Sequence, residues 1–167
     1  MNENQEFTAL YAFRKYGDTV LRAAYSYTGS YSEAEDITQD IFLGLHASPQ
    51  KFEDENHLRA WLLRAAINRS RNYHKSSRKK RQCSYEDVSE AELAYEFAPQ
   101  DTTVRDKLAE LPEKYRVVLH LYYYEEFTIK EIAGILQKSE NTISSQLQRA
   151  RKKLKLELEE DEWYEKV

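Results

Sequence analysis

Apolar side chains recur at helical spacing along most of this chain, most plainly over residues 128 to 155. Ile129, Ile132, Ala133 and Leu136 fall at i, i+3, i+4 and i+7, and Ile143, Leu147, Ala150 and Leu154 form a second stripe of the same kind. Thr128 and Glu131 make a capping box, because the hydroxyl satisfies an orphan amide while the carboxylate reaches back to the cap. Ser139 caps the second helix. Gln137 and Lys138 leave room only for a tight turn, so the stretch reads as a helix-turn-helix.

Upstream, residues 3 to 29 predict two helices broken near Gly17 and ended at Gly29, with Phe7, Leu10, Tyr11, Val20, Leu21, Tyr25 and Tyr27 as core or contact positions. Ser32 and Glu35 form a capping box that opens a helix to Ala47, in which Ala34, Ile37, Ile41 and Leu45 make the buried stripe. Residues 48 to 56 are a loop containing Pro49, and Asn56 caps a helix from His57 to Lys80 with Leu58, Trp61, Leu62 and Ala65 on its buried side. Residues 82 to 101 keep no lasting period and read as a linker, compatible with a short helix at 90 to 97. Asp101 or Thr102 caps a helix that ends at Leu111, since Pro112 disfavours helical geometry in the residue before it and suits the start of a new helix. That helix, Glu113 to Glu125, turns Tyr115, Val118, Leu119 and Tyr122 towards the helix-turn-helix. The expected fold is all-α: a helical domain at 1–81, an acidic linker at 82–101, a helical domain at 102–158 carrying the helix-turn-helix, and an acidic tail at 159–167.

Composition narrows the chemistry. Charged residues at 32% and apolar residues at 41% describe a soluble globular protein rather than a disordered one. No apolar run approaches the roughly 18 residues of a membrane span, and Met-Asn-Glu-Asn-Gln-Glu lacks the basic and apolar blocks of a signal peptide. A cytoplasmic location without stable membrane insertion is the expectation. The one cysteine, Cys83, cannot form an internal disulfide or a zinc site, the four histidines fall at no metal-ligand spacing, and there is no phosphate-binding or dinucleotide-binding glycine loop. No cofactor, no metal and no enzymatic activity are therefore expected.

The net charge of −4 is blocked rather than spread. Residues 64 to 81 hold eight bases and no acid, residues 82 to 103 hold six acids and no base, and residues 141 to 155 hold five bases (Arg149, Arg151, Lys152, Lys153, Lys155) and no acid. Separate blocks imply separate jobs. Arg64, Asn68, Arg71, Asn72 and Lys75 share one face of their helix, and Asn and Arg suit base edges and phosphates. Glu33, Asp36 and Asp40 line up beside Gln39, with Phe42 and Leu43 turned away from the central stripe. Acids around exposed apolar groups suit a basic protein partner, although a solvated face with extra core gives the same pattern. Phe52, an aromatic on a polar loop, either anchors that loop or stacks on an unpaired base.

Three segments resemble the extracytoplasmic-function (ECF) group of sigma-70 type RNA polymerase sigma factors. Ala34-Glu35-Asp36-Ile37-Thr38-Gln39-Asp40-Ile41-Phe42-Leu43-Gly44-Leu45 is similar to the region that binds the clamp of core polymerase, which implies core contacts by Glu33, Asp36, Gln39, Asp40, Phe42 and Leu43. Lys51-Phe52, followed by Arg59 to Tyr73, is similar to the loop and helix that open and read the minus-10 promoter element. The resemblance implies single-stranded DNA contacts by Phe52, Arg64, Asn68, Arg71, Asn72 and Lys75, with the Phe52 loop bordering a pocket for a flipped base. Leu111 to Arg116, Phe127 to Ala133 and Thr142 to Arg151 are similar to the domain that reads the duplex minus-35 element. Ser144, Ser145, Gln148 and Arg149 are its expected groove-facing residues, with Lys152 beside them.

One departure stands out. Where family members commonly carry bases just after the Thr142-Ile143 pair, this chain has Ser144 and Gln146, so two cationic contacts are missing. The resemblance also implies core RNA polymerase and promoter DNA as partners, an acidic linker lying in the basic cleft and RNA exit path, and regulation of many members by an anti-sigma factor. Besides a sigma factor, two other functions fit parts of the chain: a stand-alone duplex-binding regulator using residues 128 to 155, and a metal-dependent nuclease using Asp36 and Asp40. The basic helix at 64 to 81 counts against the first. Too few ligands count against the second.

Overall fold

The structure, a computed structural model, describes residues 7–77 and 107–165, with side chains for 7–73 and 107–155. The proposed linker with its short helix, the helix end at Lys80, the cap at Asp101 or Thr102 and the side chains of Lys75 and the acidic tail lie outside that description. No strand occurs among the described residues. The chain divides into two compact units, Met1–Tyr85 and Glu86–Val167.

The first unit is three helices, α1 (Ala9–Thr28), α2 (Tyr31–Ala47) and α3 (Glu55–Ser77), each packed on the other two. Helix α1 runs unbroken through Gly17, contrary to the expected break. A mid-helix glycine costs only about 0.5–1 kcal/mol relative to alanine, less than the packing of the helix supplies. Its start is capped by Thr8, whose side chain accepts from the Tyr11 amide, and it stops at Gly29, which adopts φ 69° while its amide donates to the Tyr25 carbonyl. Val20 and Tyr27 are buried, but Leu10 is exposed.

Two caps sit earlier than the sequence suggests. Ser30, not Ser32, caps α2 by accepting from the Glu33 amide at 3.3 Å. Asp54, not Asn56, caps α3, accepting the His57 amide at 2.7 Å. In both places a second cap-forming residue lies two positions on, Ser32 and Asn56, and the direction of the incoming chain decides which of the pair caps the helix.

In α3 the buried ridge is Leu58, Leu62, Ala66 and Ser70, flanked by buried Leu63 and Ile67, whereas Trp61 and Ala65 are half-buried. The apolar run Trp61 to Ile67 contains two overlapping stripes, and packing on both α1 and α2 selects the second. Ser70 is tolerated inside because its hydroxyl donates to the Ala66 carbonyl at 2.7 Å.

The second unit begins its described part with a helical turn at 107–110 and the buried Leu111. Pro112 is the N-cap of α4 (Glu113–Leu119), and the Arg116 guanidinium donates to the carbonyls of Ala109 and Leu111, tying the two helical pieces together. The expected continuous helix to Glu125 instead widens into a π turn at His120–Tyr124, closed by the Glu125 amide donating to the His120 carbonyl. Glu125 is 4% exposed, with Oε1 3.4 Å from His120 Nε2, and the His120 ring stacks on Tyr124. A wider turn lets the chain leave α4 at once into Phe127 and the next cap.

Helices α5 (Ile129–Leu136) and α6 (Glu140–Glu165) form the helix-turn-helix. The Thr128–Glu131 capping box is fully formed, Gln137 ends α5 at φ 55°, and the Thr142 amide donates to the Ser139 hydroxyl at 3.1 Å. Ile132, Ala133, Leu136, Ile143, Leu147 and Ala150 are buried.

Two substitutions test the backbone reading. A Cβ on Gly17 would meet only the Phe13 ring at 3.5 Å, so Gly17→Ala is expected to stabilise the protein by about 0.5–1 kcal/mol. Gly29→Ala, at positive φ, is expected to destabilise it by about 1 kcal/mol. Urea unfolding of the two variants checks both signs.

Candidate nucleic-acid interface

Three surfaces present the residues singled out in the sequence. On α2, Asp36, Gln39, Asp40 and Leu43 are all exposed along one side, Leu43 by 65%. Glu33 is half-buried near the start of that row. Phe42 is 7% exposed and packs edge-to-face on Phe13 at 5.2 Å, so it belongs to the core and not to the exposed stripe. The acids also face α3. Burial pushes the Tyr73 hydroxyl above its usual range, and Asp36, Glu33 and Asp40 nearby push it the same way, while Arg69 lies 3.9 Å from Asp40. No sequence signal marks Arg69 or Tyr73 as neighbours of this row, since their approach depends on how two helices cross.

On α3, Arg64 and Asn72 are exposed, and Asn68 and Arg71 are half-buried beside them. They project away from the Leu58–Leu62–Ala66 ridge because that ridge occupies the inward side. The adjacent loop holds Phe52 half-buried. Its ring meets Phe7, His57 and Trp61 edge-to-face at 6.3, 5.5 and 5.6 Å. An aromatic pair such as Phe52–Phe7 or Phe52–Trp61 adds about 0.5–1.5 kcal/mol beyond burial, so these contacts anchor the loop. Just after it, Glu55 accepts from the Tyr11 hydroxyl at 2.5 Å and forms an ion pair with Lys15.

On α6, Ser145, Gln148, Arg149 and Lys152 are exposed, and Ser144 is half-buried. Gln146 is turned partly inward, its amide oxygen enclosed without a hydrogen bond among the described residues. Arg151 is committed to its own unit. Its guanidinium lies over the rings of Tyr122 and Tyr123 at 5.2 and 5.4 Å, and Nε donates to the Tyr123 hydroxyl at 2.6 Å. Of the five late bases read in the sequence, this one ties α6 to the π turn. The partners are 28 residues apart, beyond the reach of helical periodicity. Among the described residues there is no cluster of three or more His, Cys, Asp or Glu that could hold a metal, and no helix long and apolar enough to cross a membrane.

An all-helical protein with an acidic-apolar face, a basic Asn/Arg helix and a helix-turn-helix defines a nucleic-acid-binding class. Comparison with known proteins specifies it. The family model for sigma-70 region 2 matches residues 12–80 and that for sigma-70 region 4 matches residues 102–154. The chain is 29% identical over 161 residues to the ECF RNA polymerase sigma factor SigW of Bacillus subtilis, covering 86% of this chain and 84% of that one. It is 28% identical over 148 residues to SigM of the same organism, covering 86% and 90%. Its fold matches that of the sigma factor RpoE solved in complex with the anti-sigma factor NepR from Bartonella quintana, with a TM-score of 0.68 at 22% identity over 88% of this chain and 94% of that one. This chain belongs to the sigma-70 family and is a sigma factor of its ECF group. The presence of both regions disfavours a stand-alone regulator, and sigma factors are non-catalytic.

The Glu55 contacts carry a pH signature. Hydrogen bonds from Lys15 and then Tyr11 hold its carboxyl below the usual 4.5, so its contribution to stability is complete above that value and is lost as pH falls through the lower folded pKa. Wild type is expected to lose stability more steeply below pH 4.5 than Glu55→Gln, a small difference because the pair is exposed. Denaturant unfolding at a series of pH values measures it.

Proposed function

We propose that the three surfaces divide the work of initiation. The α2 stripe of Asp36, Gln39, Asp40 and Leu43, with Glu33 at its edge and Phe42 supporting it from beneath, docks on a basic surface of core polymerase. Arg64, Asn68, Arg71, Asn72 and Lys75 of α3 hold the melted minus-10 strand, with charge for the phosphates and amides for the bases. Phe52 borders the pocket for a flipped base by fixing its loop. Ser144, Ser145, Gln148, Arg149 and Lys152 meet the duplex minus-35 element, Gln148 suited to adenine and Arg149 to guanine or a phosphate.

In this reading residues 1–81 form the core-binding and minus-10 domain, residues 102–158 the minus-35 domain, and the acidic stretch between them a linker through the basic cleft of polymerase. The observation that carries the proposal is the exposed α2 stripe, on which acids and an uncovered leucine stand together in the region 2 match. The protein works in the cytoplasm, where polymerase is. Because the fold neighbour was solved with an anti-sigma factor, a partner of that kind is part of the proposal.

The helix-turn-helix is a poor grip by itself. Ser144 and Gln146 supply no charge early in α6, and Arg151 is held by tyrosines, so polymerase tethering provides most of the affinity.

Run-off transcription with core polymerase on genomic fragments tests the function and maps its promoters. Charge reversal as Asp36→Lys with Asp40→Lys is expected to weaken core binding by roughly tenfold or more; binding at wild-type strength would place the docking surface elsewhere. Arg149→Ala is expected to lower use of minus-35-dependent promoters by about 1–3 kcal/mol of discrimination while sparing core binding. Loss of core binding in that variant would give α6 a different role.

A further inference from the structure

The loop before α3 is held from α1 as well as from its own flanks. Its own bonds are local: the Glu53 amide donates to His57 Nδ1 at 3.2 Å, and the His57 amide donates to Asp54. Two further attachments come from the first turns of α1 and the residue preceding its cap. Phe7 places its ring against both Phe52 and Tyr11, at 6.3 and 5.9 Å. Tyr11 and Lys15, one turn apart on α1, both donate to Glu55 Oε1. The Tyr11–Glu55 contact spans 44 residues of sequence, so it fixes the start of α3 against α1 independently of the loop's own conformation.

We propose that Phe7, Tyr11 and Lys15 are positioning residues for base capture, acting through Phe52 and Glu55 without touching DNA. This rests on the reading of the Phe52 loop as the border of a base pocket. The residues on both sides of Phe52 are exposed, and its other ring contacts, His57 and Trp61, belong to α3 itself, so Phe7 is the aromatic contact that ties this loop to the α1 end of the unit. With the aromatic contact removed, Phe52 loses one of its three ring partners; with Tyr11 and Lys15 no longer donating, Glu55 is left with its weaker bond to Tyr16, and the first turn of α3 is held less firmly on α1. Either change lets the pocket border drift relative to the Asn68–Arg71 face, which α3 carries further along. A misplacement of that kind weakens the choice between bases more than the electrostatic hold on the strand, because hydrogen-bond and stacking contacts need closer geometry than charge does.

The test uses the full chain with core polymerase and bubble templates carrying each of the four bases, or an abasic site, at successive minus-10 positions. Wild type is expected to show a base preference at one position. Phe7→Ala and the double variant Tyr11→Phe/Lys15→Ala are expected to reduce that preference roughly tenfold, the value of one base contact. They should bind core polymerase and the abasic template as wild type does, and Phe7→Tyr should restore the preference by restoring a ring. An unchanged preference in both variants overturns the proposal, as does an equal loss on base-containing and abasic templates. If Phe7→Ala does not fold, the double variant, which leaves the aromatic cluster intact, decides the matter. Absence of any base preference in wild type would instead remove the base-pocket reading itself.

Discussion

The inward ridge of α3 is the contact on which the first unit depends. Leu58, Leu62, Leu63, Ala66 and Ile67 are almost completely removed from solvent where this helix packs on α1 and α2. A fully buried Leu or Ile is worth about 1.5–3 kcal/mol relative to an exposed one, whereas an exposed ion pair such as Arg69–Asp40 is worth about 0–1 kcal/mol. Apolar packing therefore sets the rotation of α3, and the charged residues follow. Once that rotation is fixed, Arg64, Asn68, Arg71 and Asn72 have only the outward side left. The basic face is a consequence of the core as much as a feature of its own.

Helix α2 shows the same division in a narrower space. Ala34, Ile37, Ile41 and Leu45 lie inside, and Phe42 joins them through the Phe13 ring, leaving Leu43 as the one large apolar side chain of this helix in the open. A single exposed leucine is ordinary on a protein surface. Its position beside Asp36, Gln39 and Asp40 on a helix matched by sigma-70 region 2 is what makes it part of the proposed docking stripe. A Cβ placed on Gly44 next to it would meet the Arg69 guanidinium at 3.5 Å, so α3 also borders this face. The surfaces proposed for core docking and DNA handling thus lie on neighbouring helices of one small unit, and a disturbance of their packing would be felt by both.

In the second unit, polar capping and one irregular turn position an otherwise simple helix pair. The Thr128 hydroxyl accepts from the Glu131 amide and the Glu131 carboxylate from the Thr128 amide, and Gln137 takes a left-handed conformation where glycine is more usual. The π turn at His120–Tyr124 brings Tyr122 and Tyr123 to Arg151, which joins that turn to the middle of α6. This contact engages one of the five late bases of α6 within its own unit.

The sequence by itself determined the helices, the turn between α5 and α6, the Thr128–Glu131 box and the separation of acidic from basic blocks, because helical period, capping chemistry and net charge are local quantities. The three candidate surfaces were legible for the same reason: Asp36 and Asp40, Arg64 and Asn72, and Gln148 and Arg149 all stand on outward faces as their spacing required. Tertiary structure alone decided the rest. It carried α1 through Gly17, chose Ser30 and Asp54 as caps, moved Phe42 into the core, enclosed Phe52 among Phe7, His57 and Trp61, and spent Arg151 on two tyrosines. Each of these turns on a residue with two locally acceptable states. Packing partners distant in sequence are what separate such states in energy, and local pattern carries no record of which partners will meet.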